Sequence, residues 1–423
     1  MKRAVCLLSV SALAAGLALS QDSSNVRTVG VSDTPMDAYH VTVAGSHAYV
    51  ADNDSGMRVI DISDPAAPFE AGYYDPIGQI WSTTVIGDFA YAACPAMGLR
   101  IIDISEPANP VQAGSLGWDG SPYDVAVAGD YAYVADYYNY STSSSGLRVI
   151  NVANPAAPAD VVNYVMPGYP RRVVVADTLA YVVIGNAGLR IINISDPAAP
   201  YQVGSFDTPG TAYDVTIVDS LAYVTDGYYG LYALDIGDPT NPDTIGRYNT
   251  PGTARGVAVA GKYAYVADYD YGLRVIDISN PAAPVEVGHY NTPGNVRSVA
   301  VLDSLIYVAD GAFGLRILQG YGPAGVADDP MQNEKGKIQN IKLQVLGNRI
   351  AYGLPNAGPV KLAVYNIVGQ RVRSLVDEDK KMGSYEATWN GKDNSERRVA
   401  SGVYLVRLES NGLTAAAKMV VVR

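Results

Sequence analysis

Short runs of alternating apolar and polar residues fill most of the chain, and no stretch sustains a helical period over three turns, so the pattern predicts strands throughout. One region shows the unit clearly: Arg255–Ala260, Tyr263–Asp268, Leu273–Ser279 and Val285–Tyr290 are strand-like. The link Gly261-Lys262 suits a tight hairpin. Asn280-Pro-Ala-Ala-Pro284 cannot continue a strand, because each proline removes a ladder donor.

The same four-run unit recurs. The phrase Gly-Leu-Arg-(Val/Ile)-Ile-Asp-Ile-Ser-x-Pro-Ala-x-Pro, with local variation, starts at Gly56, Gly98, Gly146, Gly188, Gly230 and Gly272, and a truncated copy starts at Gly314. The spacing is 42 residues, except for one interval of 48 whose six extra residues fall in the serine-rich stretch Tyr140–Ser145. Seven copies at this period mean a propeller or a solenoid, and four antiparallel strands per copy make a propeller blade. The ends decide between them. The seventh copy stops after its third strand, at Gln319, while Val29-Gly-Val-Ser-Asp-Thr-Pro35 aligns with the fourth-strand segment Val287–Pro293. One missing strand and one spare strand of the same kind predict a ring closed by pairing them; a solenoid caps its ends instead.

The repeated phrase, preceded by Ala-Tyr-Val-Ala-Asp, resembles the LVIVD-repeat family of bacterial and archaeal surface proteins over residues 26–319. That resemblance implies an extracellular protein with a binding or adhesion role and no established reaction.

After a linker at 320–340, seven further strand-like runs predict an Ig-like β-sandwich. They are Ile341–Leu346, Arg349–Tyr352, Val360–Tyr365, Arg371–Leu375, Tyr385–Trp389, Gly402–Leu408 and Ala415–Val422. The segments Val360–Val372, Tyr385–Gly391, Ser401–Leu408 and Lys418–Arg423 resemble the C-terminal sorting domain of type IX (Por) secretion cargo, and equally the Ig-like domain of flagellar hook-capping proteins. The first of these implies recognition by an outer-membrane translocon. The Asn-Pro-Phe-rich lead common before such domains is absent; Gln344-Val-Leu-Gly-Asn-Arg349 stands in that region. The expected fold class is therefore all-β: a seven-bladed β-propeller closed by an N-terminal strand at 21–319, followed by a C-terminal Ig-like β-sandwich at 341–423.

Charge sharpens the division. Residues 21–330 hold 13 Lys and Arg against 34 Asp and Glu, a net −21, whereas 331–423 hold 15 against 8, a net +7. So acidic a propeller repels phosphate backbones, which argues against a nucleic-acid partner. Residues 1–20 read as a signal peptide: Lys2 and Arg3, an apolar run, then Ala18-Leu19-Ser20. The run is shorter than a membrane span and no second one follows, so no transmembrane segment is expected in the mature chain. The expected location is extracellular or on the cell surface. Past the signal only Cys94 remains, so no disulfide framework supports the fold.

Tyrosine is the compositional oddity, with 32 Tyr against 4 Phe and 3 Trp. Seven of them (Tyr49, Tyr91, Tyr133, Tyr181, Tyr223, Tyr265, Tyr307) share one second-strand position and are assigned to blade packing. The links that vary from copy to copy are where function is grafted onto a repeated scaffold. The position leading into each first strand carries Tyr39, Trp81, Tyr123, Arg171, Tyr213, Arg255 and Arg297, and the second-strand exits add Tyr137, Tyr228, Tyr229, Tyr269 and Tyr271. These twelve are the candidate ligand-binding residues, for a surface glycan, peptide or protein partner. An open, solvated funnel of these side chains would favour binding. Rings stacked on one another and on the arginines would favour plain architecture.

Features present in most blades are assigned to the blade itself. The exit aspartates, present in five of seven copies, read as turn caps. The arginines Arg58, Arg100, Arg148, Arg190, Arg274 and Arg316 read likewise, and Arg100 and Arg190 persist where the aspartate is gone. With three histidines and no His/Cys cluster, no metal centre or cofactor is expected. Asp52-x-Asp54-x-Gly56 and Asp268-x-Asp270-x-Gly272 look like shortened calcium loops without the later acidic ligand, which leaves only weak Ca²⁺ binding open. His40, Ser82 and Asp124 share a repeat position in three successive blades, a triad on paper, but equivalent positions on neighbouring blades are expected to lie too far apart for relay contacts. A non-enzymatic binding protein is thus preferred, with an extracellular polysaccharide lyase or hydrolase and a structural surface-layer module as alternatives.

Overall fold

The computed structural model describes residues 23–320, apart from 77 and 140–143, and residues 342–421, apart from 347–348, 355–356, 367–369, 382, 396, 400–401 and 412. Residues 1–20, read above as a signal peptide, the linker beyond Gly320 and Tyr140 lie outside the described residues. Two compact units divide between residues 327 and 328.

The first unit is a propeller-like array of antiparallel sheets, one per repeat. In the sixth, the strands are Gly256–Ala260, Tyr263–Ala267, Leu273–Asp277 and Val285–Tyr290, hydrogen-bonded in sequence order. The seventh supplies three strands, Ser298–Leu302, Leu305–Ala309 and Leu315–Gly320, and its fourth is the N-terminal Val26–Ser32, paired from Val26↔Gly320 to Ser32↔Leu315. A two-residue strand, Ser23–Ser24, which the pattern did not predict, edges the sixth sheet against Tyr290 and His289.

The repeated phrase has a physical reading at each step. Its glycine opens the third strand with positive φ in every copy but that of Gly146, and a Cβ at Gly272 would stand 2.2 Å from the Tyr290 carbonyl oxygen. Its Asp-Ile-Ser ends that strand: Asp277 Oδ1 accepts from the Ser279 backbone N–H at 2.9 Å, a side-chain turn cap. A register shift then separates the third and fourth strands, as between Val275 and Ile276. The fourth-strand glycine lets the next sheet's proline turn come close. A Cβ on Gly72 would meet the Pro107 carbonyl oxygen at 2.4 Å, and one on Gly204 would meet that of Pro239 at 2.1 Å. The N-terminal strand repeats this contact, since a Cβ on Gly30 would meet the Pro65 carbonyl oxygen of the first repeat's proline turn at 2.1 Å.

The cores lie between sheets. Each buried cluster is shared by two neighbours; Tyr307, Ala309, Leu315 and Ile317 of the seventh sheet pack with Val41, Ala48, Val50 and Ile60 of the first. The shared second-strand tyrosines sit in these clusters, all buried. In the third sheet Tyr131–Asn139 and Ser144–Asn151 pair as far as Asn139↔Ser144.

The second unit has two sheets. One holds Lys342–Leu346, Arg349–Leu354 and Gly383–Thr388; the other is ordered Arg371–Lys380, Gly358–Asn366, Gly402–Ser410, Leu413–Val421. Its core includes Ile350, Tyr352, Leu362, Val406 and Trp389, the last edge-on to Tyr404 at 5.1 Å between ring centroids.

Candidate functional site

A pair of residues stands at the start of each sheet's innermost strand, and thirteen of these fourteen residues, all but Gly256, line one depression with a cavity volume of about 70 Å³. The outer tier is Tyr39, Trp81, Tyr123, Arg171, Tyr213, Arg255 and Arg297. One residue further along, an inner tier presents His40, Ser82, Asp124, Arg172, Asp214 and Ser298.

The outer tier is a belt of ring and guanidinium contacts. Tyr39 stacks on Trp81 with planes 12° apart, Trp81 meets Tyr123 edge-on at 5.0 Å, and Tyr137 lies 5.8 Å from Tyr123 and 4.9 Å from Tyr169. Arg171 then stands over Tyr123, Tyr137 and Tyr213; Arg255 bridges Tyr213 and Tyr269, at 5.2 and 3.8 Å; Arg297 bridges Tyr269 and Tyr39, at 5.5 and 4.2 Å. Stacking of this kind, taken alone, favours architecture. Yet Arg171 and Arg255 make no hydrogen bond or ion pair with the described residues, and Arg297 has only Asp37 at 3.9 Å. Their Nε atoms are buried without an acceptor, as is Trp81 Nε1, whereas their terminal amino groups are not buried.

The inner tier is electrostatically closed. Arg172 lies 3.1 Å from Asp124 through Nη1 and 2.8 Å from Asp214 through Nε, the latter a close ion pair rather than an aligned hydrogen bond. Asp124 Oδ2 also accepts from the Val173 N–H at 3.0 Å, and Asp214 Oδ2 from the Val257 N–H at 2.9 Å. Burial pulls the Arg172 guanidinium down, but the two aspartates outweigh it and its pKa is raised. Burial raises that of Asp214, against the pull of Arg172.

Ser82 Oγ donates to Asp124 Oδ1 at 2.5 Å, so the expectation that equivalent positions on neighbouring blades cannot touch is wrong here. Inner strands converge at this end, and a short serine suffices to bridge them. The paper triad still does not form. Arg172 Nη1 lies 2.9 Å from His40 Nε2, and because a guanidinium can only donate, Nε2 is the acceptor and the proton sits on Nδ1. Burial first, then Arg172, pushes the His40 pKa down to about 3, with Asp124 opposing. This neutral imidazole has its lone pair occupied by Arg172, not by Ser82.

The other sequence candidates divide. Tyr137 and Tyr269 join the belt. Tyr228, Tyr229 and Tyr271 are not brought to the depression: Tyr228 is 79% exposed, Tyr229 covers Gly210, and Tyr271 covers Gly252 beside Arg274. Tyr169, Asp214 and Ser298 were missed. Asp214 and Ser298 directly follow named candidates, so the signal was the neighbouring repeat position.

The repeated polar residues serve the scaffold. Asp52 is fully buried, takes the Thr34 hydroxyl at 2.6 Å and the Met36 N–H at 3.1 Å, and has Arg58 at 3.7 Å. Arg148–Asp136, Arg274–Asp268 and Arg316–Asp310 pair at 3.7, 3.7 and 2.6 Å. Burial raises Asp136 and Asp268 to about 6 despite these cations. Both shortened calcium loops therefore commit their first aspartate to a buried turn. Cys94 is buried, its thiol pushed up to about 12 by desolvation.

Segments 36–76, 77–116, 119–165, 167–208, 209–250, 251–292 and 293–318 match the LVIVD repeat, and 347–412 match the FlgD Ig-like domain. Curated proteins gave no match. Similar solved structures include the computationally designed Ika8 protein (TM-score 0.53, 8% identity, 70% of this chain and 100% of that one). The WD40 β-propeller domain of Doa1 is similar at TM-score 0.55 and 11% identity, covering 70% and 96%. The Cps50 (Swd1) β-propeller domain of Myceliophteria thermophila is similar at 0.56 and 11%, covering 70% and 99%. At these identities the likeness shows the fold alone.

Proposed function

The chain belongs to the LVIVD-repeat family, and from that premise we propose that it is an exported, non-enzymatic binding or adhesion protein whose ligand sits in the depression of the propeller. The observation that carries this reading is the convergence of seven side chains, one from each repeat and divided among tyrosine, tryptophan and arginine, on a single concavity. A scaffold needs no such departure from its own repeat, and three guanidiniums without a good carboxylate partner are a costly way to fill space. The test presents the full chain to arrays of glycans, peptides and surface polymers. Saturable binding that Trp81→Ala and Arg255→Ala each weaken by about tenfold or more is expected; no binding, or binding indifferent to both changes, contradicts the proposal.

The finer architecture belongs to the same reading: seven blades in a ring that the N-terminal strand closes, supported by the Val26–Ser32 pairing and the core shared by first and seventh sheets. Residues 1–20 direct export, and the Ig-like domain acts as a type IX sorting or surface-attachment signal. A reporter carrying residues 331–423 behind the signal peptide then reaches the cell surface; retention in the periplasm contradicts the sorting role. The stacked belt favours one second reading, a structural module of a surface layer. It predicts capture of a protein partner with no small ligand.

A further inference from the structure

Resting on the mouth as a binding site, we infer that its ligand is an acidic saccharide whose uronate carboxylates or sulfate esters meet Arg171, Arg255 and Arg297 while sugar rings lie against Tyr39, Trp81 and Tyr123.

Charge comes first. Four guanidiniums and two carboxylates line the depression, and both carboxylates are committed to Arg172. His40 is neutral. The four guanidiniums and two carboxylates leave the lining a net +2, with Arg171 and Arg255 lacking any carboxylate partner among the described residues and Arg297 holding only Asp37 at 3.9 Å, in a propeller whose net charge over residues 21–330 is −21. Such a field repels dense polyanions at long range and rewards an anion only at the mouth itself. A short oligosaccharide with a few anionic groups held within the mouth suits that profile, whereas a long nucleic-acid duplex running out over the acidic surface does not.

Donor count comes second. The accessible polar groups on the three arginines are terminal amino groups, which can only donate. A peptide main chain brings one N–H for nearly every carbonyl and so opposes donors with donors. An acidic saccharide brings a surplus of acceptors, and carboxylate and sulfate both fit the guanidinium fork.

Shape comes third. Aromatic faces give a saccharide apolar area for its C–H surfaces, and the belt alternates such faces with the cations. The enclosed space of about 70 Å³ admits a charged substituent rather than a whole sugar ring, so the rings lie across the mouth and only their anionic groups enter.

The experiment is calorimetric titration of the full chain with oligogalacturonate, with the same oligosaccharide after carboxyl reduction, with a sulfated galactan oligosaccharide, and with an acidic peptide. Binding of at least one acidic saccharide is expected. The carboxyl-reduced counterpart should bind about ten- to a hundredfold more weakly, the range for losing a charge-assisted hydrogen bond. Arg255→Gln and Arg297→Gln should each weaken the acidic ligand about tenfold and leave the reduced one unchanged. The two acidic arms identify the anion. Equal affinity for reduced and acidic forms, lost in Trp81→Ala, overturns the acidic ligand but keeps the binding mouth. Preference for the acidic peptide overturns the saccharide. Silence of every arm in protein shown folded by circular dichroism overturns this inference, and if the wider arrays are also silent, the proposed function falls with it.

Discussion

Two sets of arginines stand in opposite surroundings within the same repeated scaffold. Arg58, Arg148, Arg274 and Arg316 hold equivalent third-strand positions, each within 4 Å of a fully buried aspartate that also caps a turn. Arg171, Arg255 and Arg297 hold equivalent first-strand positions, but the other four repeats place Tyr or Trp there, and their partners are aromatic faces. The first set is periodic and neutralised; the second is aperiodic and left charged. The difference teaches that the repeat marks what the blade needs, and departures from it mark what a ligand needs.

The largest break in that contrast should come from Arg148→Ala, which leaves Asp136 buried without its cation. Chemical denaturation should show a loss of about 3 kcal/mol, as for a buried pair stripped of one partner. The deficit should shrink as pH falls from 7 to 5, because a carboxyl with a pKa near 6 escapes by taking a proton. A loss no greater than that of an exposed arginine would dissolve the distinction between the sets.

Acid titration separates the scaffold from the inner tier. Asp268 has a folded pKa of about 6, above its ordinary 3.8, so the folded state protonates first. Wild type should therefore gain melting temperature relative to Asp268→Asn as pH falls from 6 to 4. His40 behaves oppositely: its folded pKa of about 3 lies below the ordinary 6.5, so the unfolded state protonates first. Wild type should lose melting temperature relative to His40→Gln as pH falls from 6.5 toward 3. Parallel pH trends in the two pairs would refute the assignment.

The smallest effect is expected at the mouth. Arg255→Gln gives up contacts with Tyr213 and Tyr269 and no hydrogen bond, so stability should change by less than about 1 kcal/mol in the same denaturation assay. A larger loss would move Arg255 into the scaffold set.

The contrast also explains how far the sequence could be read. Repeat phase, strand order and the spare N-terminal strand are carried by local pattern, and the sheets follow it closely; the N-terminal strand lies at Val26–Ser32 rather than Val29–Pro35. The outer tier was legible because one repeat position alternates between aromatic residues and arginine, with Trp81 unlike all six of its repeat-mates. Of the inner tier, His40, Ser82 and Asp124 stood out as one repeat position, but their contacts were not legible. Arg172 reaches His40 across 132 residues, and that contact depends on how far apart the inner strands stand, which no spacing encodes. Tyr228, Tyr229 and Tyr271 misled for the complementary reason: composition places a residue on a loop but not on a side of it. Two of them cover glycines whose Cβ would collide with their rings.

The most direct test of the central claim is the unfolding free energy of Arg171→Gln/Arg255→Gln/Arg297→Gln in the full chain, measured without ligand. A mouth held charged for a ligand predicts stability within about 2 kcal/mol of wild type, three weak cation–π contributions partly offset by relieved repulsion, together with lost saccharide binding. A fall as steep as that of Arg148→Ala, with binding undiminished in the folded fraction, would show the belt to be architecture and contradict the account.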